Sequence, residues 1–572
     1  MLSNSQIMKK TLLSLALAGL VAGAWAQNAP IQQTAIKQDP IAMKYAAIIT
    51  PELEKMHLSI IASDEYEGRE TGMPGAAKAA DYIANEFKSL GLQPIVNGSY
   101  FFDVPIMGTR FMVNGLTING TAFSYGKDFT AQGGGAKTIN VNDVVFIGYG
   151  IGDEKYDDLK GIDITGKVVI LMSTGEPVKD SVSFITGTKQ LSAWTPNQGG
   201  GRGGRGGAGG GRGGAAGGGG GKNRMQYIQS KNPALILVVN PNPPNANGRG
   251  GRGGAPNPER WNVVKKQEVK PFTGIVSYTI SIAMADQLLK PAGKTLAQLK
   301  GAIDQSGMPQ SQTVKTEFNT SYAAEVKDLK ANDVLGFMEG SDPKLKDEVL
   351  VVSAHYDHIG LTNPGSKDKV NNGADDDGSG TTGMMSIARA FSQAKKAGKG
   401  PKRSILFLAN VGEEKGLLGS EYYTDHPVIP MERTVADLNI DMIGRVGNDY
   451  KGKPDSANYV YVIGSKMLSS DLYNMSVNAN KTYTNLTLDY IYDDPNDQNR
   501  FYYRSDHYNF AKHNVPIIFY FNGVHEDYHQ PGDEVKKINF GVMAKRAQLV
   551  FYTAWAVANA DKRPVVDGKN DR

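Results

Sequence analysis

Apolar residues in this chain come in two textures. From residue 319 onward they gather in compact, nearly unbroken runs: Glu348 to Ala354, Ser404 to Asn410, Val435 to Ile440, Tyr459 to Gly464 and Val515 to Phe521. Runs so short and so continuous predict parallel strands covered on both faces. Between them, Thr382 to Ala397 puts Met384, Ile387, Ala388, Phe391 and Ala394 on one stripe, and Phe540 to Ala558 reads as a closing helix. Strands alternating with helices predict an α/β fold: a doubly wound, mostly parallel sheet with its functional groups at the strand C-termini.

Upstream the texture is different. Ala80, Tyr82, Ile83, Phe87 and Leu90 recur at helical spacing, which predicts a helix from Pro74 to Leu90 stopped by Gly91. From 101 to 318 short β-rich segments alternate with Gly, Asn and Pro, among them Asp143 to Ile151, Gly166 to Met172, Ala234 to Val239 and Gly274 to Ile280. This predicts an inserted β-rich domain. Two tracts of Gly, Ala and Arg, 199–221 and 248–254, cannot bury apolar area and read as flexible surface excursions. The expected organisation is 27–100 as the first part of the main domain, 101–318 as the insert, 319–562 as the main domain and 563–572 as a tail.

Composition narrows the function classes. The 572 residues exceed one ordinary core, and 40% hydrophobic with 21% charged residues suits a globular protein. Net charge is +4, falling to +2 once Lys9 and Lys10 leave with the first 26 residues. That balance gives no case for nucleic acid or a membrane surface as partner, the Arg-Gly-Gly repeats notwithstanding. Lys9-Lys10, the apolar run Thr11 to Ala22 and Ala24-Trp25-Ala26 before Gln27 form a secretory-signal pattern over 1–26. The run is shorter than the ~20 residues needed to span a bilayer, so an exported protein, periplasmic or extracellular, is expected. There are no cysteines, so any metal must sit on His and carboxylates.

Such residues crowd the predicted strand ends. His355 and Asp357 follow the first run, and Asp375-Asp376-Asp377 lies in a turn flanked by small residues. Glu413 and Glu414 follow Ser404 to Asn410, Asp441 ends Leu438-Asn439-Ile440, and His529 lies just beyond Phe521. Alone, each is an ordinary loop residue. Five such features on one sheet edge point to a two-metal hydrolytic site begun by His355 and one Asp of the triplet. His57, His358, His426 and His513 read as surface or packing residues.

The pattern His-x-Asp, Gly-Ala-Asp-Asp-Asp-Gly-Ser-Gly, Glu-Glu-x-Gly-Leu-x-Gly-Ser, Asp-Met-Ile-Gly and Tyr-His-x-Pro-x-Asp resembles the M28 family of co-catalytic zinc aminopeptidases. Glu70-Thr-Gly-Met-Pro-Gly and Phe87-Lys-Ser-Leu-Gly-Leu resemble that family's opening helix. Tyr156-Asp-Asp-Leu-Lys-Gly-Ile-Asp-Ile-Thr-Gly-Lys-Val-Val resembles a protease-associated (PA) domain. The resemblance implies the zinc exopeptidase fold with an inserted PA domain, two Zn2+ ions and a peptide substrate. Asp376 would bridge the ions, His355 and Asp441 would complete one, and Glu414 and His529 the other. Glu413 would be the general base, and Asp357 would orient His355. A cis peptide is implied at Asp376–Asp377. Tyr528 is a candidate to hydrogen-bond the oxyanion, Ser505-Asp506-His507 to support the site, and Arg500, Arg504 and Asn439 to contact a substrate terminus. An exopeptidase of the aminopeptidase kind is expected; a carboxypeptidase or dipeptidase on the same scaffold, a non-catalytic binding protein and a glutaminyl cyclase are the alternatives.

Overall fold

The structure, a computed structural model, describes residues 37–195, 222–241, 260–270, 272–363, 365–494 and 496–569. The expected signal and both Gly/Arg tracts lie outside them. Among the described residues no helix is long and apolar enough to cross a membrane.

Two sheets organise the chain. The first has eight strands: β1 (Phe101–Asp103), β2 (Asn332–Met338), β3 (Val349–His355), β4 (Ser404–Asn410), β5 (Thr434–Ile440), β6 (Tyr459–Ile463), β7 (Thr487–Asp489) and β8 (Ile517–Phe521). Their spatial order is β1-β2-β4-β3-β5-β8-β6-β7. The centre, β4-β3-β5-β8, is parallel throughout, while β2 runs antiparallel to β4 and β6 antiparallel to β8. Every residue of β3, β4 and β5 is buried, which is why these strands read as unbroken apolar runs instead of alternating ones. The mostly parallel, helix-covered sheet is the α/β fold that the sequence predicts.

Helices close both faces. α1 (Pro40–Ala46), α2 (Pro51–Ile61) and α3 (Pro74–Leu90) precede β1; α4 (Gly380–Lys396) follows β3, and α5 (Phe540–Asn559) ends the unit. α3 carries Pro at its start and ends on Gly91 at φ 80°, a left-handed position that glycine takes without strain. α4 buries the predicted stripe, with Phe391 4.8 Å from Phe551 of α5.

The second sheet has nine strands, ordered Asn262–Lys265, Ile106–Ile118, Gln312–Leu329, Ala136–Phe146, Val168–Met172, Leu235–Val239, Ser277–Ile280 and Phe129–Gln132, with Thr121–Ala122 paired to Ile106–Ile118. It has its own core, including Phe146, Ile170, Leu237, Tyr278 and Phe318. Strand pairing puts the passage between the sheets at 104–105 and 330–331, because Phe101–Asp103 pairs with β2 and Gln312–Leu329 pairs from Phe318 to its last residue with Ile106–Ile118. The units are also joined by ion pairs, Lys265 with Glu421 at 2.5 Å and Arg260 with Glu70 at 2.8 Å.

Candidate metal centre

The parallel strands deliver the candidate residues to one edge. His355 is the last residue of β3, Asp441 the first after β5, and Glu413-Glu414 form a short turn three residues beyond β4. His529 follows β8 in a loop where it adopts φ 56°; Met442, beside Asp441, adopts φ 58°. Left-handed backbone at non-glycine residues is uncommon, and two such positions fall at candidate donors or beside them.

The three consecutive aspartates have different tasks. Asp377 turns into the backbone: its Oδ1 accepts from the Gly380 and Met442 N–H groups at 2.8 and 3.0 Å, and its Oδ2 from His355 N–H at 3.3 Å. Asp375 accepts from Gly444 N–H at 2.7 Å and pairs with His525 Nε2 at 3.1 Å. Only Asp376 faces the cluster, after a cis peptide joining it to Asp377. Its Oδ1 lies 3.4 Å from His355 Nε2, and its Oδ2 lies 3.0 Å from His529 Nε2. One carboxylate thus looks two ways. Gly380 makes this packing possible, since a Cβ there would lie 2.3 Å from Asp377 Oδ1 and 2.4 Å from the Ile440 carbonyl.

Two donor groups share Asp376. His355, Asp376 and Asp441 form one; the other gathers Asp376 and Glu414 with imidazoles. Asp441 Oδ2 is 3.7 Å from His355 Nε2, and Glu414 Oε1 is 3.0 Å from His529 Nε2. The His355 Nε2, Asp376 Oδ2 and Glu414 Oε1 atoms are buried and make no hydrogen bond with any described residue. Buried polar atoms are rarely left unmet, and here they converge with spacings suited to common ligation. A set of imidazole nitrogens and carboxylate oxygens without thiolate fits zinc and other borderline divalent cations. The residues fit the group.

Electrostatics carries the imprint of the same crowding. Burial alone would lower the His529 imidazole, but Glu414 and Asp376 raise it to about 10. Burial raises the Glu413 carboxyl; attraction to His355 opposes this, yet the nearby Glu414 and Asp441 keep it well above the ordinary range. Glu413 Oε2 is 3.9 Å from His355 Nε2, close to the first group while belonging to neither. Its backbone N–H donates to Asp357 Oδ1 at 3.2 Å, and Asp357 Oδ2 accepts from Thr71 Oγ1 at 2.6 Å. The His355 ring is oriented differently from expectation. Its Nδ1 meets the Asp357 carbonyl at 3.1 Å, while the Asp357 carboxylate is 3.7 Å away and engaged elsewhere.

A pocket opens beside the cluster, lined by Asp376, Glu413 and Asp441, by Met442, Phe501, Phe519, Phe521 and Val524, and by Arg504 and Tyr528. Tyr528 stacks on His529, and Arg504 donates to its hydroxyl at 3.2 Å.

A family model for peptidase family M28 matches residues 333–554, the stretch that holds every candidate donor. That domain belongs to peptidase family M28. Leucine aminopeptidase 2 of Trichophyton equinum is 26% identical over 254 residues, 40% of this chain and 45% of that protein. A probable leucine aminopeptidase of Arthroderma benhamiae is 28% identical over 310 residues, 52% of this chain and 78% of that protein. The chain spans about half the length of the first curated relatives it matches. Among solved structures, BSAP, a zinc aminopeptidase from Bacillus subtilis, aligns with 91% of this chain and 98% of its own at 17% identity and a TM-score of 0.49.

Within the M28 domain some sequence expectations need correction. His358 is not a surface residue: it is fully buried, with Nδ1 2.9 Å from Glu414 Oε1, beside the candidate donors. Asn439 is sealed inside the sheet, accepting from Ser353 Oγ and donating to Ser505 Oγ, both at 2.9 Å, so it meets no substrate. Arg500 is exposed against the Tyr503 ring, whereas Arg504 does line the pocket. Ser505 anchors Asn439, and His507 bonds the Tyr502 carbonyl at 2.8 Å. Arg69 and Thr71, upstream of the M28 domain, also escaped the sequence reading. Arg69 donates to the carbonyls of Tyr356, Ile61, Asn372 and Gly373, pinning both metal-facing loops. Its signal was the Gly-Arg-Glu-Thr-Gly stretch, which marks a loop rather than the helix it precedes.

Proposed function

We propose that this protein is a metallo-exopeptidase holding two zinc ions, most specifically an aminopeptidase that removes N-terminal residues from peptides. The observation that carries the reading is Asp376, whose two oxygens face separate donor groups, with Glu413 beside the first. His355, Asp376 and Asp441 would hold one ion, and Asp376, Glu414 and His529 the other. Zinc bound there would supply Lewis acidity, polarising the scissile carbonyl and lowering the pKa of a water.

The remaining roles belong to this chain's side chains. Glu413 takes the water's proton and returns it to the leaving amine, with its backbone steadied by Asp357. The Tyr528 hydroxyl, at the pocket wall, hydrogen-bonds the developing oxyanion. Met442, Phe501, Phe519, Phe521 and Val524 favour an apolar substrate side chain. That preference agrees with the leucine aminopeptidase names of the relatives. The β-rich insert reads as a PA-like domain, and the protein as exported.

A second reading rests on Arg504. A guanidinium in the pocket wall suits a substrate carboxylate, as a carboxypeptidase or dipeptidase would need. Purified protein assayed on aminoacyl-p-nitroanilides and on N-blocked dipeptides separates the two. Release from free-amine substrates alone, abolished by a zinc chelator, supports the aminopeptidase. Activity indifferent to chelation and to Glu413→Gln would sink the metal mechanism.

A further inference from the structure

The M28 pattern provides three protein donors for each ion, yet this chain presents a further imidazole at the second position. We propose that His358 is a fourth protein donor in the Asp376–Glu414–His529 group, making the two cation positions unequal. The inference rests on the two-metal reading above and deepens it.

Distances come first. His358 Nδ1 lies 2.9 Å from Glu414 Oε1 and 3.8 Å from Asp376 Oδ2. His529 Nε2 lies 3.0 Å from each of the same two oxygens. Donors bound at roughly 2.1 Å to one zinc ion sit roughly 3–4 Å apart, so all four spacings are those of ligands to a shared ion. His358, Asp376 and Glu414 alone already form a set whose ligand atoms lie within 4.8 Å of one another.

Alignment separates ligation from a hydrogen bond. Were His358 merely supporting Glu414, its N–H would point at the carboxylate. Instead, despite the 2.9 Å approach, neither Nδ1 nor Glu414 Oε1 reaches the alignment of a hydrogen bond with any described residue. His358 Nε2 is equally unmet among the described residues. A fully buried imidazole with both nitrogens unsatisfied is costly, and ligation through Nδ1 removes the larger part of that deficit.

The setting is rigid enough to be a built feature. The His358 backbone N–H donates to the Arg69 carbonyl at 3.1 Å, and Arg69 is itself fixed by four carbonyls. Its ring packs against Gly373, where a Cβ would come within 2.5 Å of both Cγ and Cδ2. Gly373 also sits at φ 56°, which suits glycine twice over. Among the described residues, the first group, His355, Asp376 and Asp441, gains no comparable fourth donor. The second position should therefore fill first and hold its ion longer.

The test uses the full chain stripped of metal and returned to zinc or cobalt at buffered free concentrations. Bound ions per chain are counted by mass spectrometry for wild type and His358→Ala, with circular dichroism checking the fold. Outer-sphere partners typically cost roughly 10–100-fold in metal affinity, so loss of a direct donor should weaken the tighter position by at least about 100-fold. X-ray absorption of the cobalt-loaded wild type supplies a measurement that needs no variant: three imidazoles over two ions are expected, against two if His358 stands aside. Two imidazoles overturn the proposal even if the variant binds weakly, and so does unchanged two-ion loading of His358→Ala. A wild type that binds no metal overturns the two-metal reading itself.

Discussion

Both carboxylate oxygens of Asp533 accept the backbone N–H of Asp375, at 3.1 and 3.0 Å. One of them also takes the Asp376 N–H at 3.1 Å, so a residue far along the chain fixes the turn that presents the shared carboxylate. Asp533 has no exposed surface, and Arg445 Nη1 lies 3.7 Å away. Replacing it by Ala strands two buried donors, each costing about 1–3 kcal/mol. Asp533→Ala should lower the thermal midpoint of the metal-free protein clearly, and Asp533→Asn, which keeps one acceptor oxygen, should lower it less. Equal midpoints for wild type and Asp533→Ala would show that the turn holds without this cap.

Asp375 and Asp376 should separate cleanly when each becomes Asn. Asp376 touches both donor groups and supports little backbone, so Asp376→Asn should fold normally yet lose both ions and nearly all turnover. Asp375→Asn leaves those donors intact but disturbs the His525 partner and the Gly444 N–H bond, so its cost falls on stability. Metal counting beside thermal unfolding reads the difference. Loss of metal from both variants alike would mean that the wrong aspartate has been given the bridging role.

Glu413→Gln should retain metal. The Glu413 side chain approaches His355 only to 3.9 Å, and neither donor group includes it. General acid–base help typically supplies roughly 10²–10⁴-fold, so kcat should fall by that factor with zinc content unchanged. A parallel fall in bound zinc would make Glu413 a ligand instead.

The sequence exposed those features that depend on local pattern. β3, β4 and β5 were readable because burial on both faces leaves an unbroken apolar run, and their chemistry-bearing ends followed from where each run stops. His358 was invisible by the same logic. Alternation along an extended strand puts residues three apart on opposite faces, which argues against His355 and His358 sharing a site. The strand in fact ends at His355, and the chain turns so that His358 pairs with Glu70 and swings its ring back to the same cluster. Arg69 and Asp533 act on backbone groups distant in sequence, so the stretches that contain them mark the residues but not the partners they hold. The domain boundary expected at 318 falls inside the strand Gln312–Leu329, whose pairing with Ile106–Ile118 from Phe318 onward becomes apparent only in three dimensions.

Glu54, outside the site, should make stability fall as pH rises. It lies in α2 with no exposed surface, facing Ser386 and Thr382 of α4. Burial raises its carboxyl from 4.5 to about 8, against smaller opposing pulls from the two hydroxyls. Between those values the folded protein keeps a proton that the unfolded chain has released, so each added pH unit favours unfolding by at most about 1.4 kcal/mol. The loss begins near 4.5 and is complete above about 8. Glu54→Gln carries no proton to lose. Its thermal midpoint should match the wild type near pH 4.5 and exceed it increasingly up to pH 8, and a gap that stays constant over this range would mean that Glu54 is charged inside the fold.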